Sequence, residues 1–201
     1  MSVLSRARDI VALVETCFKK TVRTFGDYSE QHLLDCAYEA RGYDGCDGAW
    51  PTTYASWLAD RKPKLASEAG YPYTARVGTC RTDYSEFYQG AKISESAYYR
   101  GNKETLKALV YEHGAVLVGM AANDAFFQYR GGVFAGCSQD DRPNHAVVVV
   151  GYGTDYHSGV DYWLVKNSHG THWGDQGYMR IQRGVNMCGI ETTTQVVLTC
   201  G

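Results

Sequence analysis

The sequence predicts an α+β protein with two lobes, helical over residues 1–90 and β over residues 91–201, meeting at a cleft within a single folded unit. Three observations predict this. The chain has 201 residues of which 44% are hydrophobic, enough for one large domain or two small lobes. Up to about residue 90 the apolar residues recur at helical spacing between loops. Beyond it, β-branched and aromatic runs bounded by Gly, Asn or Asp take over. A helical block followed by a strand block is the pattern of segregated α+β layers.

The elements follow in chain order. Ile10, Val11, Val14, Cys17, Phe18, Val22 and Phe25 fall close to helical spacing, so an amphipathic helix is predicted over about residues 7–24. Ser29 is a suitable N-cap for a second helix through Leu34 and Cys36. WPTTYASWLADR (50–61) reads as a third, with Pro51 in its first turn. NKETLKALVYEHG is a fourth, opened by Asn102 and closed by Gly114. AVLVGMA, HAVVVVGYG, DYWLVKNS, GYMRIQR and QVVLTC read as strands. The sequence contains no internal repeat and no low-complexity linker.

Composition excludes several functions. Net charge is −2 with no basic block, so nucleic acid and anionic membranes are not expected partners. No apolar run approaches the roughly 20 residues of a membrane span. Residues 1–10 carry Arg6 and Arg8 and no apolar core, so no signal peptide is read in the sequence given. Seven cysteines suggest an oxidising compartment, which sets the two readings against each other. Without a C-x-x-C pair, neither a zinc site nor a thioredoxin motif is expected, and no cofactor or metal is predicted.

Two residues could carry chemistry together. His145 opens the run HAVVVVGYG and Asn167 ends DYWLVKN. Each alone is ordinary, a strand-end histidine and a turn asparagine. Adjacent strand ends can bring them together, with the amide oxygen fixing the ring's tautomer and the other nitrogen left to face a nucleophile.

The wording of the chain is more specific. SEQHLLDC (29–36), GCDGAWP (45–51), GYPYTARVGTC (70–80), YRGGVF (129–134), NHAVVVVGYG (144–153), YWLVKNSHGTHWGDQGYMRI (162–181) and CGI (188–190) occur in one order. Together they resemble the papain/cathepsin L family of cysteine peptidases, from about residue 10 to the C-terminus. The resemblance implies a papain-like fold, with a helical left lobe, an antiparallel β-barrel-like right lobe and the active site in the groove between. It implies His145 and Asn167 as the catalytic His and Asn. It implies Cys36–Cys80 and Cys137–Cys188 as disulfides, leaving Cys17, Cys46 and Cys200 over; Cys17 itself reads as a small buried hydrophobe.

The same resemblance marks departures. The family's K-N-S-W-G reads Lys166-Asn167-Ser168-His169-Gly170, so the Trp that shields the His–Asn bond is His169, although Trp173-Gly174 survives. The substrate-binding G-C-x-G-G reads Gly45-Cys46-Asp47-Gly48-Ala49. Ala49 keeps its backbone groups, but its methyl crowds the groove. Trp50, Pro51, Val118, Asn144 and Thr193 are implied to line a mid-sized apolar specificity pocket. Counting back from Ser29 places Ser5 where the family has its nucleophilic Cys, with Arg6 and Arg8 in place of large apolar residues. Ser5 to His145 spans about 140 residues, inside the papain Cys-to-His separation. The oxyanion Gln falls before Met1, and a missing donor of that kind typically costs about 10²–10³ in rate. Burying two unpaired cations is costly, so the first turn of the helix is expected to be exposed, frayed or differently placed.

These readings point to an impaired or inactive papain-type homologue that keeps a peptide-binding cleft or serves a structural role, its partner a peptide or protein segment or a larger assembly. One alternative is an active endopeptidase whose N-terminal segment is absent from this chain. Another is a serine-variant catalyst, for which Ser5 lacks the usual flanking residues. Family resemblance implies a lysosomal, vacuolar or secreted location.

Overall fold

The computed structural model describes residues 3–23, 26–37, 51–84 and 92–201, with side chains from Ala7 onward except Val22. The described chain divides into two compact units, Met1–Ala97 with Val197–Gly201, and Tyr98–Val196.

The first unit is built on three helices. Helix α1 spans Val3–Val22 and packs against α2 (Glu30–Cys36) and α3 (Pro51–Arg61). Its inner stripe is Ile10, Leu13, Val14, Cys17 and Phe18, all buried, which is the periodicity that predicted it. The backbone is helical from Val3 onward. Arg8 escapes the cost of burial by pointing outward, 3.6 Å from Glu30 and over the face of Tyr73. Ala7 and Asp9 on either side are the buried positions.

Helix α2 explains why SEQHLLDC is a fixed phrase. Ser29 Oγ accepts from the His32 N–H as the N-cap and donates to the Tyr71 carbonyl. Gln31 donates to Asp35 Oδ1 and to the Arg76 carbonyl, and its oxygen accepts from the Thr74 N–H. Asp35 also accepts from the Gly78 N–H and the Tyr71 hydroxyl. The N-cap Ser29 and the helix residues Gln31 and Asp35 thereby hold the segment 71–80 without a strand, with Cys36 bonded to Cys80 at its end.

The second unit contains helix α4 (Lys103–His113), a short helix α5 (Asp124–Phe127) and most of the sheet: β1 (Ile93–Arg100), β2 (Val116–Met120), β3 (Val133–Phe134), β4 (His145–Thr154), β5 (Asp161–Lys166), β6 (Tyr178–Gln182) and β7 (Thr194–Cys200). The division between units falls within β1 and within β7. The strands lie in the order β1-β7-β2-β4-β5-β6-β3. β2 pairs antiparallel with β4 and β7, β4 with β5, and β5 with β6, while β3 runs parallel to β6. The core includes Val116–Val118 and Val147–Val149, buried on both faces of the sheet, with Trp163, Val165, Met179 and Ile181 also buried. Asn102 caps α4 through the Glu104 and Thr105 N–H groups, and Gly114 closes it at φ 82°, a left-handed position that favours glycine.

The cysteines correct one expectation. Cys36–Cys80 and Cys137–Cys188 are disulfides, as the resemblance implied. Cys17 and Cys200, expected to be left over, form a third, across 183 residues of sequence. The buried face of α1 lies beside the end of β7, and their Cα atoms are 5.9 Å apart, a separation that a disulfide spans. Cys46 lies outside the described residues.

Candidate active site

His145 is the first residue of β4, opposite Met120 of β2, and Asn167 immediately follows β5. Because Lys166 faces Val148, Asn167 falls diagonally across the ladder from His145, within side-chain reach. His145 Nε2 and Asn167 Oδ1 are 2.9 Å apart, and both residues are buried. Asn167 Oδ1 also accepts from the Ser168 N–H at 2.8 Å. A backbone N–H can only donate, so this second bond fixes which end of the amide is oxygen. Nε2 therefore carries the ring proton, and Nδ1 is the basic nitrogen. The Asn167 N–H is held by the Gly177 carbonyl.

An aromatic shell surrounds the pair. Phe126 of α5 meets His145 edge-on at 5.2 Å and Trp173 at 4.8 Å. His169 lies 5.3 Å from the His145 ring and stacks on Phe127 at 5.8 Å, with Trp173 edge-on at 6.1 Å. Tyr129 packs on the far side of Trp173. Burial pushes His145 down to about 4; the Asn167 bond opposes this, and the neighbouring His169 adds to it. At neutral pH His145 is an uncharged imidazole, suited to accepting a proton at Nδ1. The Asn167 Nδ2 and Trp173 Nε1 atoms are buried without a hydrogen-bond partner.

The remaining predicted residues divide by unit. Thr193 Oγ1 brackets Gly119 of β2, accepting from its N–H at 3.1 Å and donating to its carbonyl at 2.9 Å, next to buried Val118. Asn144 clasps Ala122 through both side-chain atoms, at 2.7 and 3.0 Å. Val118, Thr193 and Asn144 thus share one end of β2. Pro51 begins α3 in the other unit. Gly48, Ala49 and Trp50 lie outside the described residues, as does the side chain of Ser5, whose backbone belongs to α1. All six described cysteines are in disulfides, so the described residues hold no free thiol. They also hold no group of three potential metal ligands, and no described helix is long and apolar enough to cross a membrane.

Sequence reasoning missed Phe126 and Phe127. Their helix has one turn, and its only signal is Asn123, which caps the Phe126 N–H.

Comparison with known proteins agrees with this arrangement. The family model described as papain family cysteine protease matches residues 9–198. Cathepsin S of Bos taurus is 41% identical over 167 residues, covering 81% of this chain and 48% of that protein. A cathepsin L-like proteinase of Fasciola hepatica is 40% identical, covering 88% and 53%. The chain therefore spans about half the length of these curated relatives. Among solved structures, the bromelain protease from Ananas comosus in complex with the E64 inhibitor superposes with a TM-score of 0.84 at 35% identity, covering 98% of this chain and 89% of that one. Digestive procathepsin L 3 of Tenebrio molitor gives 0.85 at 35% identity, covering 98% and 64%. The motifs, the His145–Asn167 pair on neighbouring strand ends and these matches agree: the chain belongs to the papain family of cysteine proteases.

Proposed function

We propose that this chain is a papain-type peptide-binding protein without peptidase activity of its own. The observation that carries the reading is chemical. His145 and Asn167 keep the geometry of a base and its orienting amide, yet every described cysteine is in a disulfide, and counting back from Ser29 puts Ser5 at the nucleophile position. A serine hydroxyl is far less acidic than a thiol and needs a true general base together with oxyanion stabilisation. His145 as a neutral imidazole supplies the first. An Arg at each of positions 6 and 8, an Ala at position 49 and a His at position 169 each weaken the family pattern around it.

The ligand is an extended peptide or protein segment. The family resemblance assigns peptide binding to Gly48, Ala49, Trp50 and Pro51 of the first unit and to Val118, Asn144, Trp173 and Thr193 of the second. A structural role in a larger assembly fits the same residues. Three disulfides favour a lysosomal, vacuolar or secreted location.

The test is intact-mass analysis after exposure to an epoxide thiol trap. The chain as given gains no adduct, while Ser5→Cys gains one. An adduct on the unmodified chain that accompanies turnover overturns the proposal.

A second reading is favoured by one observation: the curated relatives are about twice as long as this chain. On that reading the chain is part of an active endopeptidase whose nucleophile is carried elsewhere. Intact mass of the native protein and a transcript read upstream of Met1 decide between them.

A further inference from the structure

The first unit holds a cavity of about 560 Å³ that the His145 site does not use. That volume is in the range of small-molecule sites, roughly 300–1,000 Å³. Its wall is aromatic: His32 of α2, Trp57 of α3 and Tyr84. His32 meets Trp57 edge-on at 6.2 Å and Tyr84 at 5.2 Å. The Tyr84 hydroxyl donates to the Lys64 carbonyl at 2.7 Å, which fixes that ring. Arg61, Lys64 and Arg81 also line the space, and among the described residues no carboxylate does. Arg81 holds its guanidinium 4.3 Å above the Tyr71 ring, and its backbone N–H donates to the Tyr71 hydroxyl. His32 is buried and neutral at pH 7, because burial holds it at about 4, so the wall itself is uncharged.

We propose that this cavity binds an anionic ligand with a flat apolar body, such as an aromatic carboxylate or sulfonate. The ring lies against Trp57 and Tyr84, and the anion meets Arg81, with Arg61 and Lys64 beside it. A planar guanidinium grips a carboxylate through two parallel N–H bonds, which gives direction as well as charge. The neutral His32 favours an apolar ring at the back over a second charge. The proposal stands apart from the peptidase reading, since none of these residues belongs to the His145 site.

The experiment titrates 2-naphthoate into the full chain, followed by calorimetry and by Trp57 fluorescence, with 2-naphthylmethanol as the uncharged control. Saturable one-to-one binding is expected, weakened roughly tenfold or more by removing the charge from either side, in the alcohol or in Arg81→Gln. Trp57→Leu loses the fluorescence response and weakens binding. Should Arg81→Gln fail to fold, by near-ultraviolet circular dichroism, Lys64→Gln and the neutral alcohol decide the matter. Absence of saturation at millimolar naphthoate, or equal binding of acid and alcohol, overturns the proposal.

Discussion

Asn167 Oδ1 accepts two hydrogen bonds at once, and the state of His145 follows from that. The Ser168 N–H fixes the amide, the amide fixes the tautomer, and burial fixes the charge. Nuclear magnetic resonance should find the proton on Nε2 and a titration midpoint near 4, well below an ordinary histidine. A midpoint near 6.5 contradicts the burial argument. The Asn167 bond favours the charged ring, so Asn167→Ala lowers the midpoint further. His169 repels a charge on His145, so His169→Gln raises it. The chain's order and its strand-end residues made His145 and Asn167 legible in the sequence. The Phe126 edge was not legible, because a single helical turn leaves no periodicity.

At the scale of elements, caps carry much of the local order. Ser29→Ala removes both the cap on the His32 N–H and the bond to the Tyr71 carbonyl, and should cost about 1–2 kcal/mol in urea unfolding. Gly114→Ala forces a side chain into a left-handed position and should cost about 1 kcal/mol. Helices α2, α3 and α4 were readable because their caps and first-turn residues are in the sequence. The strands β2, β4 and β7 were readable because both faces of their centres are buried in apolar runs, and β5 and β6 because apolar residues alternate into the core. β1 was not read, since ISESAYYR buries only Ile93 and offers no apolar alternation. The Gln31–Asp35 network was also invisible, for its partners are carbonyls and N–H groups some 43–45 residues away.

Across the whole molecule, two buried histidines and one long-range disulfide set the response to conditions. His32 and His145 are both held at about 4, against about 6.5 unfolded. Between those values the unfolded chain binds more protons than the folded one, so stability falls as pH drops from about 6.5 through 4. Each histidine contributes a slope of up to about 1.4 kcal/mol per pH unit. Thermal melts across that window should track it, and a flat profile contradicts it. The Cys17–Cys200 disulfide closes a loop of 183 residues, so Cys17→Ser with Cys200→Ser should cost about 2–5 kcal/mol. Nothing in the spacing of those two cysteines announced the pairing, because only the folded path of β7 brings the chain end to α1.

The central claim is that the scaffold and base of a papain-type site persist in this chain without a working nucleophile. Release of fluorophore from a dipeptide amide substrate by the purified chain, followed between about pH 5 and 7 in reducing buffer, tests it most directly. The account predicts no turnover above buffer. Turnover that an epoxide thiol trap abolishes contradicts it.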